Sequence, residues 1–323
     1  MRHRIILFII ILLLVGIPTP ALAQESGEGV ISGQVLNDTQ GGVSVAEVEI
    51  TLLIYIDDAL ADSMTAVTDD EGHFQFEDIN PEHIYLISAR YLDVDYYYPV
   101  EFEPEAATAF VEIGVCDTTD SDDSIWIELT RKIVDVEEET LKITEIHWLI
   151  NDGDKTYLRS DGVLDFTLPE GACEFEAPEQ LVIDFQLLEG NMTTYLVPFP
   201  PGERQLAYAY RIPKPDTAEF TVLLTVDYPT DNLEVLIGGE DIEAAVTQLA
   251  PTEPLVTESG KSYIRFEGTN LARNTVINLQ LSDLTKGGGF PLYIIWIIIA
   301  LVVVGTAFYL VRRKRRSGSR EQG

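Results

Sequence analysis

Apolar positions between residues 24 and 284 come in short runs rich in β-branched and aromatic side chains, interrupted by Gly, Pro, Asn and Asp. No stretch sustains a 3.6-residue repeat, so the pattern predicts strands rather than helices. In the first half, strands are expected at 30–36, 45–56, 63–67, 73–76, 84–91, 96–100, 110–115 and 125–129. In the second half they are expected at 141–150, 163–168, 181–187, 193–198, 205–212, 220–226, 233–237, 262–266 and 275–281. The clearest alternation is Val45-Ala46-Glu47-Val48-Glu49-Ile50-Thr51-Leu52, which gives one face to a core and one to water. Many short strands with turn residues between them predict an all-β chain of two β-sandwich domains, residues 24–130 and 131–284. Pro213-Lys214-Pro215-Asp216 is a candidate seam that would make three domains; a Pro-rich turn within one domain fits the same residues equally well.

Both ends break the pattern. Arg2 and Arg4 precede an apolar run at 5–17, followed by Pro18, Pro20 and the small-residue site Ala21-Leu22-Ala23; residues 1–23 are expected to be a secretory signal peptide. Residues 290–311 are uncharged and long enough, at ~1.5 Å per helical residue, to cross a hydrocarbon layer ~30 Å thick. Tyr293 and Trp296 at one end and Tyr309 at the other suit the two headgroup boundaries. Arg312, Arg313, Lys314, Arg315 and Arg316 then open the tail, residues 312–323, which the positive-inside rule places in the cytoplasm. Both signals predict a single-pass cell-membrane protein whose N-terminal side is extracytoplasmic, with a short Gly linker at 285–289 before the span.

These ends explain why a chain with a formal charge of −33 has a mean hydropathy of +0.08. They also mask the acidity between them: residues 24–311 hold 53 acidic and 13 basic side chains, a net of −40. Residues 24–130 are the extreme part, with 25 acidic groups and one cation, Arg90. A surface this acidic repels phosphate backbones, so no nucleic-acid partner is expected. Two cysteines exclude a disulfide scaffold; Cys116 and Cys173 fall one in each expected domain, which leaves a disulfide between them and two separate thiols equally open.

A family resemblance appears in the first domain. It rests on Gly33, Gly41-Gly42-Val43, Val45-Ala46-Glu47-Val48, the run Thr68-Asp69-Asp70-Glu71-Gly72-His73-Phe74-Gln75-Phe76, Tyr85 and Ala89. Residues 29–100 thereby resemble the carboxypeptidase regulatory-like family, a transthyretin-type Greek-key sandwich related to Cna-B-like modules. Pro81-Glu82-His83 departs from the Gly that commonly precedes the Tyr. The resemblance implies a non-catalytic accessory module. Cna-B-like modules often carry a Lys–Asn isopeptide crosslink, but residues 24–130 contain no lysine, so none can form within this domain.

Little else in the sequence carries chemistry. Ser259-Gly260-Lys261-Ser262 imitates the end of a phosphate-binding loop, yet Leu255 stands where the first Gly is required and a strand-like run follows. Asp117, Asp120, Asp122 and Asp123 form an acidic loop that is a candidate Ca²⁺ site, without the EF-hand spacing. His73, His83 and His147 have no HExxH or other ligand-spaced partner. No catalytic residue and no cofactor is expected, Ca²⁺ at that loop excepted. The sequence therefore points to a membrane-anchored extracytoplasmic binding or spacer protein of the cell envelope, non-enzymatic, presenting β-sandwich domains to a protein or glycan partner. Two other readings stay open: an accessory factor that assembles an envelope membrane complex, and a metal-dependent hydrolase using His73 or His83.

Overall fold

The computed structural model describes residues 29–282, except 104–105, 180, 216 and 240–241. The expected signal peptide, Gly linker, membrane span and basic tail, with the interfacial residues from Tyr293 to Arg316, lie outside the described residues. Within them the chain is all-β: the helical content is one 3₁₀ turn, Val182–Asp184, and no helix is long and apolar enough to cross a membrane. The chain divides after Asp117 into two compact units.

The smaller unit contains β1 (Gly29–Asn37), β2 (Glu49–Ile56), β3 (Ala59–Val67), β4 (His73–Ile79), β5 (Ile84–Tyr91), β6 (Val94–Val100) and β7 (Thr108–Val115). They make two sheets, ordered β4-β1-β7 and β3-β2-β5-β6. Ile31, Val35, Ile50, Leu52, Ile87 and Ile113 are fully buried, and Phe74 and Phe76 from β4 join them as an edge-to-face pair. The turn before β4 is built as its sequence implies. Asp69 Oδ1 accepts the N–H groups of Glu71 and His73, and Gly72 takes φ +82°, where a side chain would be strained. One expectation is corrected at β2, which begins at Glu49 rather than residue 45. Glu47 has φ +59°, and Thr68 bridges the kink by donating to the Val45 carbonyl and accepting from Val48 N–H.

The larger unit contains β8 (Thr118–Thr119), β9 (Ile125–Val136), β10 (Thr140–Asn151), β11 (Thr156–Tyr157), β12 (Leu164–Thr167), β13 (Cys173–Glu176), β14 (Phe185–Leu188) and β15 (Met192–Tyr195). It continues with β16 (Gly202–Pro213), β17 (Glu219–Thr225), β18 (Thr230–Gly238), β19 (Glu243–Val246), β20 (Ala250–Val256), β21 (Ser262–Leu271) and β22 (Val276–Ser282). A seven-stranded sheet, β13-β16-β10-β9-β18-β21-β20, shares one apolar core with the three-stranded sheets β12-β15-β14 and β17-β22-β19.

This arrangement corrects the expected domain limits. Residue 130 lies in the middle of β9, so no boundary falls there. The strand expected at 125–129 runs on to Val136 as β9, with the Lys132 side chain buried within it. The seam at 213–216 does not divide the unit either, because β18 returns to pair in parallel with β9, from Thr230↔Ile127 to Gly238↔Asp135. Residues on both sides of the Pro-rich segment thus share one sheet.

A buried ionic network and an open groove on the large sheet

Five polar side chains converge on the core-facing side of β9, β10 and β16. Lys132 and Glu145 are directly opposed across β9 and β10, Glu145 and Tyr208 across β10 and β16. His147 and Tyr210 lie two residues along from Glu145 and Tyr208, on the same face. Glu145 Oε2 accepts from Lys132 Nζ at 2.5 Å, and Tyr210 donates to Oε1 at 2.6 Å. Tyr208 hydroxyl and His147 Nε2 each approach Oε2 at 3.3 Å. His147 Nδ1 reaches Thr130 Oγ1 at 3.0 Å, and its ring stacks on Phe166.

Burial sets the charge states. It pushes the Glu145 carboxyl up, but Lys132 and His147 overcome it and hold the group below the usual carboxylate range. Burial lowers His147, with Glu145 opposing, so the imidazole is neutral near pH 7. Burial and then Glu145 raise both tyrosines far above their ordinary value, keeping them as donors. Asp227 nearby is raised to about 6 by burial, although the Thr167 side chain and N–H act to lower it. The cavity beside Lys132 and His147 measures about 10 Å³, room for about one water. No solute can reach these groups as they stand, and their chemistry is internal: a satisfied polar network that fixes the register of three strands.

The outward face of the same sheet is different. Along β9, Ile125 and Ile127 face the core, as do Thr130, Lys132 and Val134. Two residues, Glu128 and Leu129, therefore separate one inward position from the next, and the pairing with β10 slips there. This β-bulge turns both residues outward, beside Trp148 of β10. The result is a groove of about 400 Å³ lined by Glu128, Leu129, Trp148, Asn232, Glu234 and Thr269, among others. Asn232 Nδ2 donates to the Glu128 carbonyl at 3.1 Å and braces the bulge.

The local cations are committed within the sheet. Arg131 Nε and Arg265 Nη2 each reach Glu234 at 2.7 Å, Arg265 also pairs with Glu267, and the Arg131 guanidinium lies 5.9 Å from the Trp148 ring centroid. Burial raises Glu234, but the two arginines win and hold it ionised. An exposed carboxylate at Glu128, an amide, a hydroxyl and a half-buried indole remain around the groove. That set stacks on and hydrogen-bonds to a ring with hydroxyl groups.

None of the groove residues was singled out from the sequence. The sequence carried no signal for them: Ile125, Ile127 and Leu129 continue an every-second-residue apolar pattern that would send Leu129 inward, and only the bulge in the pairing with β10 turns it out.

The residues singled out in the sequence are committed elsewhere. Asp117 accepts from Asn37 Nδ2 at 2.8 Å, Tyr91 hydroxyl at 2.9 Å and Val43 N–H at 3.2 Å. Asp122 pairs with Arg273 at 2.7 Å, Asp123 accepts from the Ser121 hydroxyl, and Asp120 is exposed. These four do not form a ligand set. Among the described residues, the group of three or more His, Cys, Asp or Glu with converging ligand atoms is Asp69, Glu71 and His73 on the exposed turn, where Asp69 already accepts two backbone N–H groups. His83 lies near Asn80 in a loop and away from that group. Lys261 of the phosphate-loop imitation is bound to Asp135 at 2.5 Å and lies against Tyr263. Cys116 is buried and Cys173 is exposed, and no disulfide joins them.

No known protein family matches the chain, and no curated protein matches it at a significant level. Solved structures similar to it include a proposed protease from Parabacteroides distasonis, at 7% identity over 50% of this chain and 41% of that one, with a TM-score of 0.33. Another is the full-length RrgB pilus protein of Streptococcus pneumoniae, at 9% identity over 82% of this chain and 62% of that one, with a TM-score of 0.23. The chain spans less than two thirds of either protein. With TM-scores this low, neither likeness transfers a fold or an activity.

Proposed function

We propose that the chain is an envelope protein, anchored by a C-terminal span, whose β-sandwich units lie outside the cytoplasm and bind a glycan without catalysis. The observation that carries this reading is the groove beside the β9 bulge, where Trp148 offers a flat apolar face and Glu128, Asn232 and Thr269 offer hydrogen-bonding groups. Sugar rings present C–H faces that pack on indole and hydroxyls that bond to acids and amides. The net charge of −40 over residues 24–311 repels anionic polysaccharides, so the ligand is a neutral or amine-bearing glycan. The charged flanks of the two apolar ends support the topology. The resemblance of residues 29–100 to a non-catalytic accessory module fits the same reading.

A panel of neutral, amine-bearing and anionic oligosaccharides tests it by calorimetry on the full chain. Trp148→Ala should weaken binding by about tenfold or more, equivalent to ~1.4 kcal/mol. Tyr97→Ala, exposed in the other unit, should leave affinity unchanged. Silence across the panel, or full affinity in Trp148→Ala, would overturn the reading.

A further inference from the structure

The smaller unit has unequal sheet edges. At β6 the edge is managed: Tyr96 and Tyr98 hydroxyls donate to the Cys116 and Gly114 carbonyls at 3.1 and 2.9 Å, and Pro99 removes a backbone donor. At β3 none of these devices is present. It is the other edge of the same sheet, bonded to β2 alone among the described strands, and its sequence holds no Pro, Lys or Arg. The pairing with β2 slips at Ala61, between the Ile54↔Asp62 and Tyr55↔Leu60 pairs. Beyond it Asp62–Val67 runs in regular register, from Ile54↔Asp62 to Glu49↔Val67. Every second backbone N–H and C=O of such an edge points away from its partner, where another chain can pair with it; along this stretch the Ser63 N–H is already engaged by Asp62 Oδ1 at 2.8 Å, a local bond that a docking strand would displace.

The side chains indicate which chain fits. Leu60 is 58% exposed and Ile84 59% exposed, and both are opposed to Tyr55, so an apolar row crosses the sheet and ends at this edge. Asp57, Asp58 and Asp62 add negative charge beside it, within a stretch, residues 24–130, whose single cation is Arg90. A second copy would bring like charge against like along the edge. We propose that β3 accepts, by strand addition, an extended segment of a partner protein that alternates apolar with Lys or Arg residues. Its backbone completes the ladder, its apolar side chains extend the row at Leu60, and its cations meet the aspartates.

The test is amide hydrogen exchange on the full chain in detergent, at physiological salt, with a short peptide alternating valine and lysine. Expected is exchange about tenfold slower at alternate amides of residues 62–67. A peptide of the same charge with proline at the valine positions should give none. Ser63→Pro and Met64→Pro serve as a pair, since adjacent residues of a strand aim their N–H groups at opposite sides: the variant that keeps the wild-type melting temperature should lose the protection. Protection by both peptides alike would mean that charge alone binds, and would overturn the proposal. So would binding without protection at β3, or protection that appears with protein concentration and no peptide, which would mark a second copy as the occupant.

Discussion

Replacing Lys132 by Met keeps most of the side-chain volume and deletes one charge from a site where both Lys132 and Glu145 are at most 2% exposed. Glu145 would keep hydrogen bonds from Tyr210 and Tyr208 but lose its cation. Breaking a buried pair on one side costs about 3–5 kcal/mol, because the remaining charge is desolvated without compensation. Lys132→Met with Glu145→Gln removes both charges and leaves the tyrosines a carbonyl acceptor, so the pair should cost about 1–2 kcal/mol, less than the single change. The pH dependence should reverse as well. In the native protein Glu145 is held below its ordinary value, which contributes stability above the unfolded pKa that is lost as pH falls through the folded one. Without Lys132, burial pushes the carboxyl up, so the variant should lose stability as pH rises above ~4.5. Urea unfolding followed by tryptophan fluorescence is a suitable assay, since Trp126 and Trp148 both lie in the larger unit and the smaller has no tryptophan. A single-variant cost below ~1 kcal/mol, a double variant no better than the single, or an unchanged sign of the pH slope would refute this account.

Asp227, raised to about 6 from an ordinary 3.8, should erode stability as pH rises from ~4 to ~6, by at most ~3 kcal/mol. Asp227→Asn keeps an acceptor for Thr167 N–H, and its melting temperature should exceed that of the native protein increasingly from pH ~4 to ~6 and by a constant margin above that; equal values at pH 8 would exclude a buried ionisation. Gly72→Ala would place a Cβ 2.4 Å from the Val35 carbonyl oxygen at φ +82°, so calorimetry should show the smaller unit destabilised by ~2 kcal/mol or more. The acidic span 24–311 repels itself, so added NaCl or millimolar Ca²⁺ should raise the melting temperature at low ionic strength, and a flat response would contradict the charge argument.

Most of the strands were legible as runs of β-branched and aromatic residues, and those in the smaller unit differ from expectation mainly at their ends. The exceptions share a cause. β13 is short and largely acidic, β19 is four residues with two alanines, and β20 carries two Pro; they are strands only because a neighbouring strand supplies the ladder. Residues 181–187 read as one strand but split into a 3₁₀ turn and β14. The seam at 213–216 looked as good a boundary as any turn, because a local breaker carries no information about where the next strand docks.

By itself the sequence determined the all-β character, the turn at Asp69–Gly72 and the segregation of charge, since each depends on neighbouring residues alone. Only the tertiary structure decided that Lys132, Glu145 and His147, separated by up to 15 positions, meet inside one core. It alone decided that a single bulged residue turns Glu128 toward Trp148, and that β3 is left open at an edge. Strand pairing across long separations makes these choices: side-chain facing repeats every two residues, so one extra residue reverses what is inside and what is outside.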